Sequence, residues 1–293
     1  MKNTIKNNRL YIEIEDVCSV RNVLTKLNIS KKQMGILDSQ GNIFIGTNKA
    51  RLDSVISVTE QLSLPLYTQK DLEYISTEIE LEVVYEDEII LIVNKPCNIL
   101  THTDESKEIT LQNIVDNYLI LNGNMITCNP IHRLDKETSG LIIYSKSNLF
   151  KAYFDRELAD KSISRKYFAL CDNPYKKMSR GKIEVYLAKD RHNSNMYRVA
   201  ESGKLAITNY EVIRNYSSYS LLRLHLDTGR THQIRVSLAY RKHPIIGDNL
   251  YNKKIDENLK LQAYSVSLYH PLKNEELQVA IPMRLDIKNY NNG

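Results

Sequence analysis

The sequence predicts an α+β protein in two parts: a larger unit with a mixed, largely antiparallel sheet, preceded by a small α/β unit. Three observations carry this expectation. Segments of helical and strand periodicity follow one another without the regular β-α alternation of a parallel sheet. A chain of 293 residues has room for about two domains at roughly 150 residues each. The pattern also changes across a weakly periodic stretch, residues 65–80, read as a linker between a first domain (1–64) and a second (81–285), with a polar tail at 286–293.

In the first part, Val20, Val23, Leu24 and Leu27 fall at i, i+3, i+4 and i+7, one apolar face of a short helix. Ser30-Lys31-Lys32-Gln33 has the capping-box spacing and opens a second helix carrying Met34 and Leu37. Gly41 to Gly46 reads as a glycine-bounded strand. In the second part, Ile89 to Val93 is a continuous apolar run, a buried strand ended by Asn94-Lys95-Pro96 because proline brings no ladder donor. Thr110 caps a helix whose face is Leu111, Ile114, Val115, Tyr118 and Leu119. Leu141–Tyr144 is a strand, Ser147–Asp160 a helix, and Tyr167–Leu170 a strand. Leu222, Leu224 and Leu226 alternate with Arg223 and His225 in a half-buried strand that stops at Asp227-Thr228-Gly229, and Arg230–Tyr240 is helical.

Composition narrows the function classes. The chain is 42% hydrophobic and 26% charged, ordinary globular proportions. No long uncharged apolar run is present to span a membrane, and MKNTIKNNRL carries no apolar leader core, so a cytoplasmic protein is expected. Cys18, Cys97, Cys128 and Cys171 form no C-x-x-C pair, and the seven histidines form no H-E-x-x-H, so neither a disulfide framework nor a metal site is expected. The glycines form neither G-x-G nor a phosphate-binding loop, so no nucleotide cofactor is suggested. The formal charge of +5 is unevenly spread. Residues 1–145 carry 14 basic against 20 acidic side chains, residues 146–242 carry 20 against 9, and residues 243–293 carry 6 of each. The central excess suits either contact with phosphates or a solvated face balancing an acidic neighbour.

The most informative segment is Ile131-His132-Arg133-Leu134-Asp135-Lys136-Glu137-Thr138-Ser139-Gly140, a polar loop between the Pro130 turn and the strand at 141–144. A carboxylate on a loop fixed by a scaffold is placed to act on a bound substrate, and Arg133 beside it can meet a phosphate or a base. Read alone, the same residues could simply cap their own turn.

H-R-L-D-K-E-T-S-G resembles the signature of the RluA-type RNA pseudouridine synthases. The resemblance extends upstream to Val93-Asn94-Lys95-Pro96 and Thr101-His102. Downstream it takes in Arg165-Lys166-Tyr167-Phe168-Ala169-Leu170, then Gly229-Arg230-Thr231-His232-Gln233-Ile234-Arg235-Val236. It closes with His243-Pro244-Ile245-Ile246-Gly247-Asp248 and His270-Pro271, and so covers residues 81–283. It implies a pseudouridine synthase catalytic domain and an isomerisation that breaks the N1–C1′ bond and rebuilds it as C5–C1′. That reaction has no net redox change and needs no cofactor.

By this resemblance Asp135 is the nucleophile, attacking either C6 or C1′. Tyr167 stacks on the uracil and helps remove the C5 proton. Arg235 pairs with the aspartate, which should keep its pKa low, and Ile234 lines the pocket. Arg133 holds the extruded nucleotide. Taken singly, Tyr167 would be a strand residue at a core edge, Arg235 a surface helix residue and Ile234 core; the joint pattern makes them a site. His132 and His232 are expected to be structural, bonding the backbone of their loops. The sequence departs from the family at Cys97-Asn98 for Ala-Gly, at Arg165 for lysine, and at Gln262 for a histidine.

The first part resembles an S4-type RNA-binding domain in its helix–helix–strand order. Residues 1–80, however, carry 10 basic and 10 acidic side chains, and the V-N-G turn is only echoed at Phe44-Ile45-Gly46. The expected partner is ribosomal or transfer RNA, bound by a monomer. The competing readings are a catalytically silent RNA-binding or ribosome-assembly factor with the same fold, and a metal-dependent hydrolase built from scattered His and Asp.

Overall fold

A computed structural model describes residues 1–102, 108–252 and 258–285; the expected tail 286–293 lies outside the described residues. The chain opens with β1 (Lys2–Lys6), β2 (Arg9–Glu13), β3 (Cys18–Ser19), α1 (Val20–Lys26), α2 (Lys31–Ser39), β4 (Phe44–Ile45), β5 (Asn48–Lys49), β6 (Val55–Ile56) and β7 (Gln61–Pro65). Five of these strands form a sheet in the order β1-β2-β7-β4-β5, and β3 pairs with β6 apart from it. Ser19 caps α1 by accepting the Asn22 N–H, which buries Val20, Val23 and Leu24 as the apolar spacing predicts. Ser30 supplies one half of the expected capping box, its Oγ accepting the Gln33 N–H at 3.2 Å. The strand expected over 41–46 shortens to Phe44–Ile45, because Gly41 and Gly46 both turn the chain with φ near +60°.

Residues 66–81 contain no helix or strand but are docked on the second part. Thr127 N–H donates to Thr68 O at 2.9 Å, and the Asn117 side chain bonds both the N–H and the carbonyl of Ile75.

The second part comprises β8 (Glu82–Glu86), β9 (Ile90–Lys95), α3 (Leu111–Leu121), β10 (Asn129–Pro130), β11 (Ser139–Ser145), α4 (Asn148–Ala159), β12 (Ser164–Asp172), β13 (Arg180–Lys189), β14 (Tyr197–Val199), β15 (Lys204–Asn215), β16 (Tyr219–Leu226), α5 (Gln233–Tyr240), β17 (Leu261–His270) and β18 (Glu275–Ala280). They build an 11-stranded sheet with the path β14-β13-β15-β16-β12-β17-β11-β9-β8, β10 and β18 pairing off it. The fold is α+β with a largely antiparallel sheet. Among the described strands only β11 and β17 pair in parallel, at Ser139↔Gln262 and Gly140↔Ala263. That close approach needs a glycine: Gly140 has φ +118°, and a Cβ there would lie 2.2 Å from Ala263 O.

Several elements run differently from the sequence expectation. Asn94 and Lys95 continue β9 instead of ending it, so the strand stops at Pro96. The helix expected from Arg230 begins at Gln233. Residues 228–230 form a turn around the Gln233 side chain, whose Oε1 accepts from Thr228 Oγ1 and Arg230 N–H while its Nε2 donates to Ile207 O. Gln262, at the position of the family histidine, is buried and ties down the C-terminal segment by bonding Pro282 O and Arg284 N–H.

Both faces of β9 are covered, which explains its unbroken apolar run. Ile90 and Ile92 join Ile143, Phe150 and Phe154 in a core continuous with Leu10, Leu24 and Leu62 of the first part. Leu91 and Val93 pack with Leu111, Val115 and Leu119 of α3 on the other side. The loop 131–138 therefore springs from a strand pair that is rigid on both faces. Among the described residues no helix is long and apolar enough to cross a membrane.

Candidate active site

The loop 131–138 is clamped from the end of β9 and the chain segment that follows it. Lys95 is fully buried and its Nζ donates to Pro96 O (2.9 Å), Ile99 O (2.8 Å) and Lys136 O (2.9 Å). Thr101 Oγ1 donates to Leu134 O at 3.1 Å, and Cys97 Sγ to Glu137 O at 2.7 Å. His132 Nε2 accepts the Ile143 N–H at 3.3 Å, a backbone bond of the kind expected of it, and burial pulls its pKa down to about 3, so the ring is neutral. Three carbonyls thus converge on one ammonium group, and Lys95 and Thr101 hold the residues on either side of Asp135, Lys136 and Leu134. Desolvation lowers the Lys95 pKa to about 8. Lys95→Met would leave three buried carbonyls short of a donor, each costing about 1–3 kcal/mol. We expect its melting temperature and its activity to fall together, measured by calorimetry beside a turnover assay.

Asp135 opens onto a cavity of about 560 Å³ between this loop, the end of α4, β12 and the turn before α5. All five residues proposed from sequence line it: Arg133, Asp135, Tyr167, Ile234 and Arg235. Arg133 is exposed, whereas Ile234 and Tyr167 are buried. The register of β12 against β17 shifts between Lys166 and Tyr167, an irregularity of the kind that re-aims a strand side chain. Burial raises the Tyr167 pKa, with Arg165 opposing and Asp135 adding to the shift, so the hydroxyl stays protonated near neutrality.

Arg235 is 1% exposed and, among the described residues, is the largest fully buried side chain. Its strong bonds do not go to Asp135. Nε and Nη2 grip Asp248 at 2.9 and 2.8 Å, Nη1 donates to Glu137 Oε2 at 3.1 Å, and Asp135 Oδ2 stands 3.9 Å from Nη1. Asp248 is itself fully buried and also accepts the N–H groups of Leu250 and Tyr251. The guanidinium is therefore fixed by Asp248 and Glu137 and presents its remaining charge to Asp135. The expectation of a low pKa for Asp135 is overturned. Desolvation outweighs the pull of His232, Arg235 and Arg133, and Glu137 opposes them, so the carboxyl lies above its ordinary value of 3.8.

Further cations frame the cavity: Arg165 from β12, Lys161 after α4, and Arg230. Arg165 packs over Gly229, where a Cβ would lie 3.2 Å from its guanidinium. Lys95, Glu137, Asp248, His232 and Tyr251 were not singled out as site residues by sequence reasoning. Lys95, Glu137, His232 and Asp248 lie inside the quoted motif blocks, but their roles depend on contacts across 13 to 98 residues that no spacing reveals. Among the described residues no group of three His, Cys, Asp or Glu side chains is placed to hold a metal ion.

Comparison with known proteins agrees with this geometry. Residues 89–240 match the family model described as RNA pseudouridylate synthase. An uncharacterised RNA pseudouridine synthase of Bacillus subtilis, YhcT, is 36% identical over 215 residues, 72% of this chain and 71% of its own. Ribosomal large subunit pseudouridine synthase D of Borreliella burgdorferi is 34% identical over 191 residues, 63% of this chain and 58% of its own. Among solved structures, human RNA pseudouridylate synthase domain containing 1 superposes with a TM-score of 0.60 at 21% identity, over 72% of this chain and 86% of its own, a likeness of fold. The chain belongs to the RNA pseudouridylate synthase family and is an RNA pseudouridine synthase.

Proposed function

We propose that the protein isomerises specific uridines of ribosomal RNA, with Asp135 as the nucleophile. The observation that carries this is the half-buried Asp135 carboxylate, which faces the cavity 3.9 Å from a guanidinium already fixed by other partners. A uridine inside a stacked helix is out of reach, so the target nucleotide is extruded into the cavity. Tyr167 stacks on the uracil and Ile234 forms the apolar wall. Arg133 at the mouth holds the extruded conformation. The carboxylate bonds to the nucleotide, the N1–C1′ bond breaks, the uracil turns, and C5–C1′ forms as Asp135 is released; the C5 proton passes to water and N1 takes one up. Electrons balance without an external oxidant or reductant. Arg235 offsets charge on Asp135 without capturing it, since the hydrogen bonds it makes go to Asp248 and Glu137. The likeness to the Borreliella large-subunit enzyme supports a ribosomal target.

On the same reading the first part is an S4-like domain, residues 1–64, joined through 65–80 to the catalytic domain at 81–285, and the protein works as a cytoplasmic monomer. A second cleft, about 510 Å³, lies where α1 and α2 meet α4, with Arg21, Lys31 and Arg156 over Ile29 and Met34. The following turns of α4 line the first cavity through Leu158 and Ala159. The two clefts therefore adjoin along α4. Lys31→Glu with Arg156→Glu should weaken RNA binding by about tenfold and flatten the salt slope by about two. Filter-binding titrations at several salt concentrations check this, and unchanged affinity would leave the first part a purely structural support.

The direct test is carbodiimide mapping of pseudouridine in total RNA from cells with and without the gene. A ribosomal site lost in the deletion and restored by the wild-type gene is the expected result. A lost site in transfer RNA would overturn the ribosomal assignment while leaving the reaction intact.

A further inference from the structure

Arg165 is a cation that the fold seats but does not pair. It stands on β12 two residues before Tyr167, and both side chains line the cavity. The residue is half-buried, and its Nε is shielded from solvent yet has no hydrogen-bond acceptor. Among the described residues no carboxylate pairs with its guanidinium. Arg235 is the contrast, gripped by Asp248 and Glu137. What fixes Arg165 instead is Gly229. A Cβ on that glycine would lie 3.2 Å from both Nη1 and Nη2 and 3.7 Å from Cζ, so the guanidinium rests on backbone that carries no side chain. The seat is itself held on both sides, since Thr228 Oγ1 and Arg230 N–H each donate to Gln233 Oε1. Gly229 has no positive φ, so the position uses the glycine for its space and not for its dihedral freedom.

A shielded donor without an acceptor is costly in a folded protein and points to a partner that arrives with the substrate. Charge decides the chemistry of that partner. Uracil is neutral, whereas each phosphate of an RNA is an anion whose oxygens match the guanidinium fork. Same-face neighbours on a strand stand about 6.7 Å apart, so a nucleotide whose base lies on Tyr167 brings its own phosphate close to Arg165. We propose that Arg165, seated on Gly229, binds a phosphate flanking the extruded uridine. This rests on the reading that the uridine enters the cavity beside Asp135. The phosphate supplies the acceptor that Nε lacks, and the contact forms only when the nucleotide has left its helix, so it favours the extruded state. Arginine here replaces the lysine of the family signature. The flat guanidinium covers the bare backbone of Gly229, which a compact ammonium group would leave open.

The test measures initial rates of tritium release from total RNA labelled at C5 of uridine, taken from cells lacking the gene, over a range of salt concentrations. For Arg165→Met we expect kcat/KM to fall by about thirtyfold. The slope of log kcat/KM against log salt should become shallower by about 0.7, the share of one single-strand phosphate. Arg165→Lys should regain the slope and only part of the rate. Gly229→Ala pushes a Cβ against the guanidinium and should cost about fivefold, whereas the same change added to Arg165→Met should cost less than about twofold more. A wild-type salt slope in Arg165→Met would overturn the phosphate assignment whether or not the rate falls, because a purely structural role moves the rate and the melting temperature but not the slope. Equal losses from Gly229→Ala with and without Arg165→Met would overturn the seat. Failure of the underlying reading shows separately: an active Asp135→Asn would take the reaction out of this cavity, and an inactive one leaves the Arg165 variants to decide the phosphate site by themselves.

Discussion

Asp135→Asn is expected to lower pseudouridine formation by about 10⁴-fold or more, because the amide cannot form the bond to the nucleotide. The same substitution should leave RNA affinity close to wild type, since the phosphate-facing cations are untouched. It should also leave the fold intact and make it somewhat more stable near neutral pH. The sign follows from the raised pKa. A carboxyl whose folded pKa lies above its unfolded value binds a proton more tightly when folded, so its ionisation opposes folding as pH rises through that window. Replacing it with a neutral isostere removes the penalty. Thermal melts of the two proteins at pH 7 check this, beside the turnover assay. In the wild type, the acidic limb of kcat/KM for the free enzyme should have its midpoint above 3.8, the ordinary carboxyl value.

Arg235→Met carries the second large effect. Asp248 is fully buried, and its bidentate partner is Arg235. Removing the guanidinium strands that carboxylate, at a cost of about 3–5 kcal/mol. For a chain of this size the melting temperature should fall by roughly 6–20 °C. Activity should be lost as well, because Glu137 and Asp135 are then two carboxylates on one loop without a common cation. Adding Asp248→Asn to Arg235→Met relieves the stranded charge, so part of the stability should return while activity does not. Arg235→Lys should retain some of both, since an ammonium group cannot make the fork to Asp248 and reach Glu137 together. Full activity in Arg235→Met would contradict the role of the buried network.

Much of this architecture could be read from the chain, and the limits have physical causes. The helix starting at Leu111 was legible because Thr110 caps it and its apolar face repeats at the helical period; the observed cap is a full box with Asn113. The buried strand β9 was legible as an apolar run, but its end was not, since Lys95 looks like a solvent-facing terminus and is instead a buried clamp. The long hairpin of β13 and β15 alternates Ile183, Val185 and Leu187 with exposed Glu184 and Tyr186, a period of two weakened by the surrounding charge. At the site, motif order identified five residues that line one cavity although Arg133 and Arg235 lie 102 residues apart. What spacing could not reveal is the partition of bonds around Arg235. Asp135, Glu137 and Asp248 compete for one guanidinium, and only their positions in space decide that Asp248 takes the fork. The direction of the Asp135 pKa was hidden for the same reason, because burial is a property of the fold and not of the motif.

The most direct test of the reaction and of its nucleophile together uses ribosomal RNA labelled with tritium at C5 of uridine, taken from cells lacking the gene. Forming the C5–C1′ bond expels the hydrogen at C5, so each conversion releases tritium to water. The wild-type protein should release it in stoichiometric amount at its target site and Asp135→Asn should release none. Equal release by both proteins, or none by the wild type, would contradict the account.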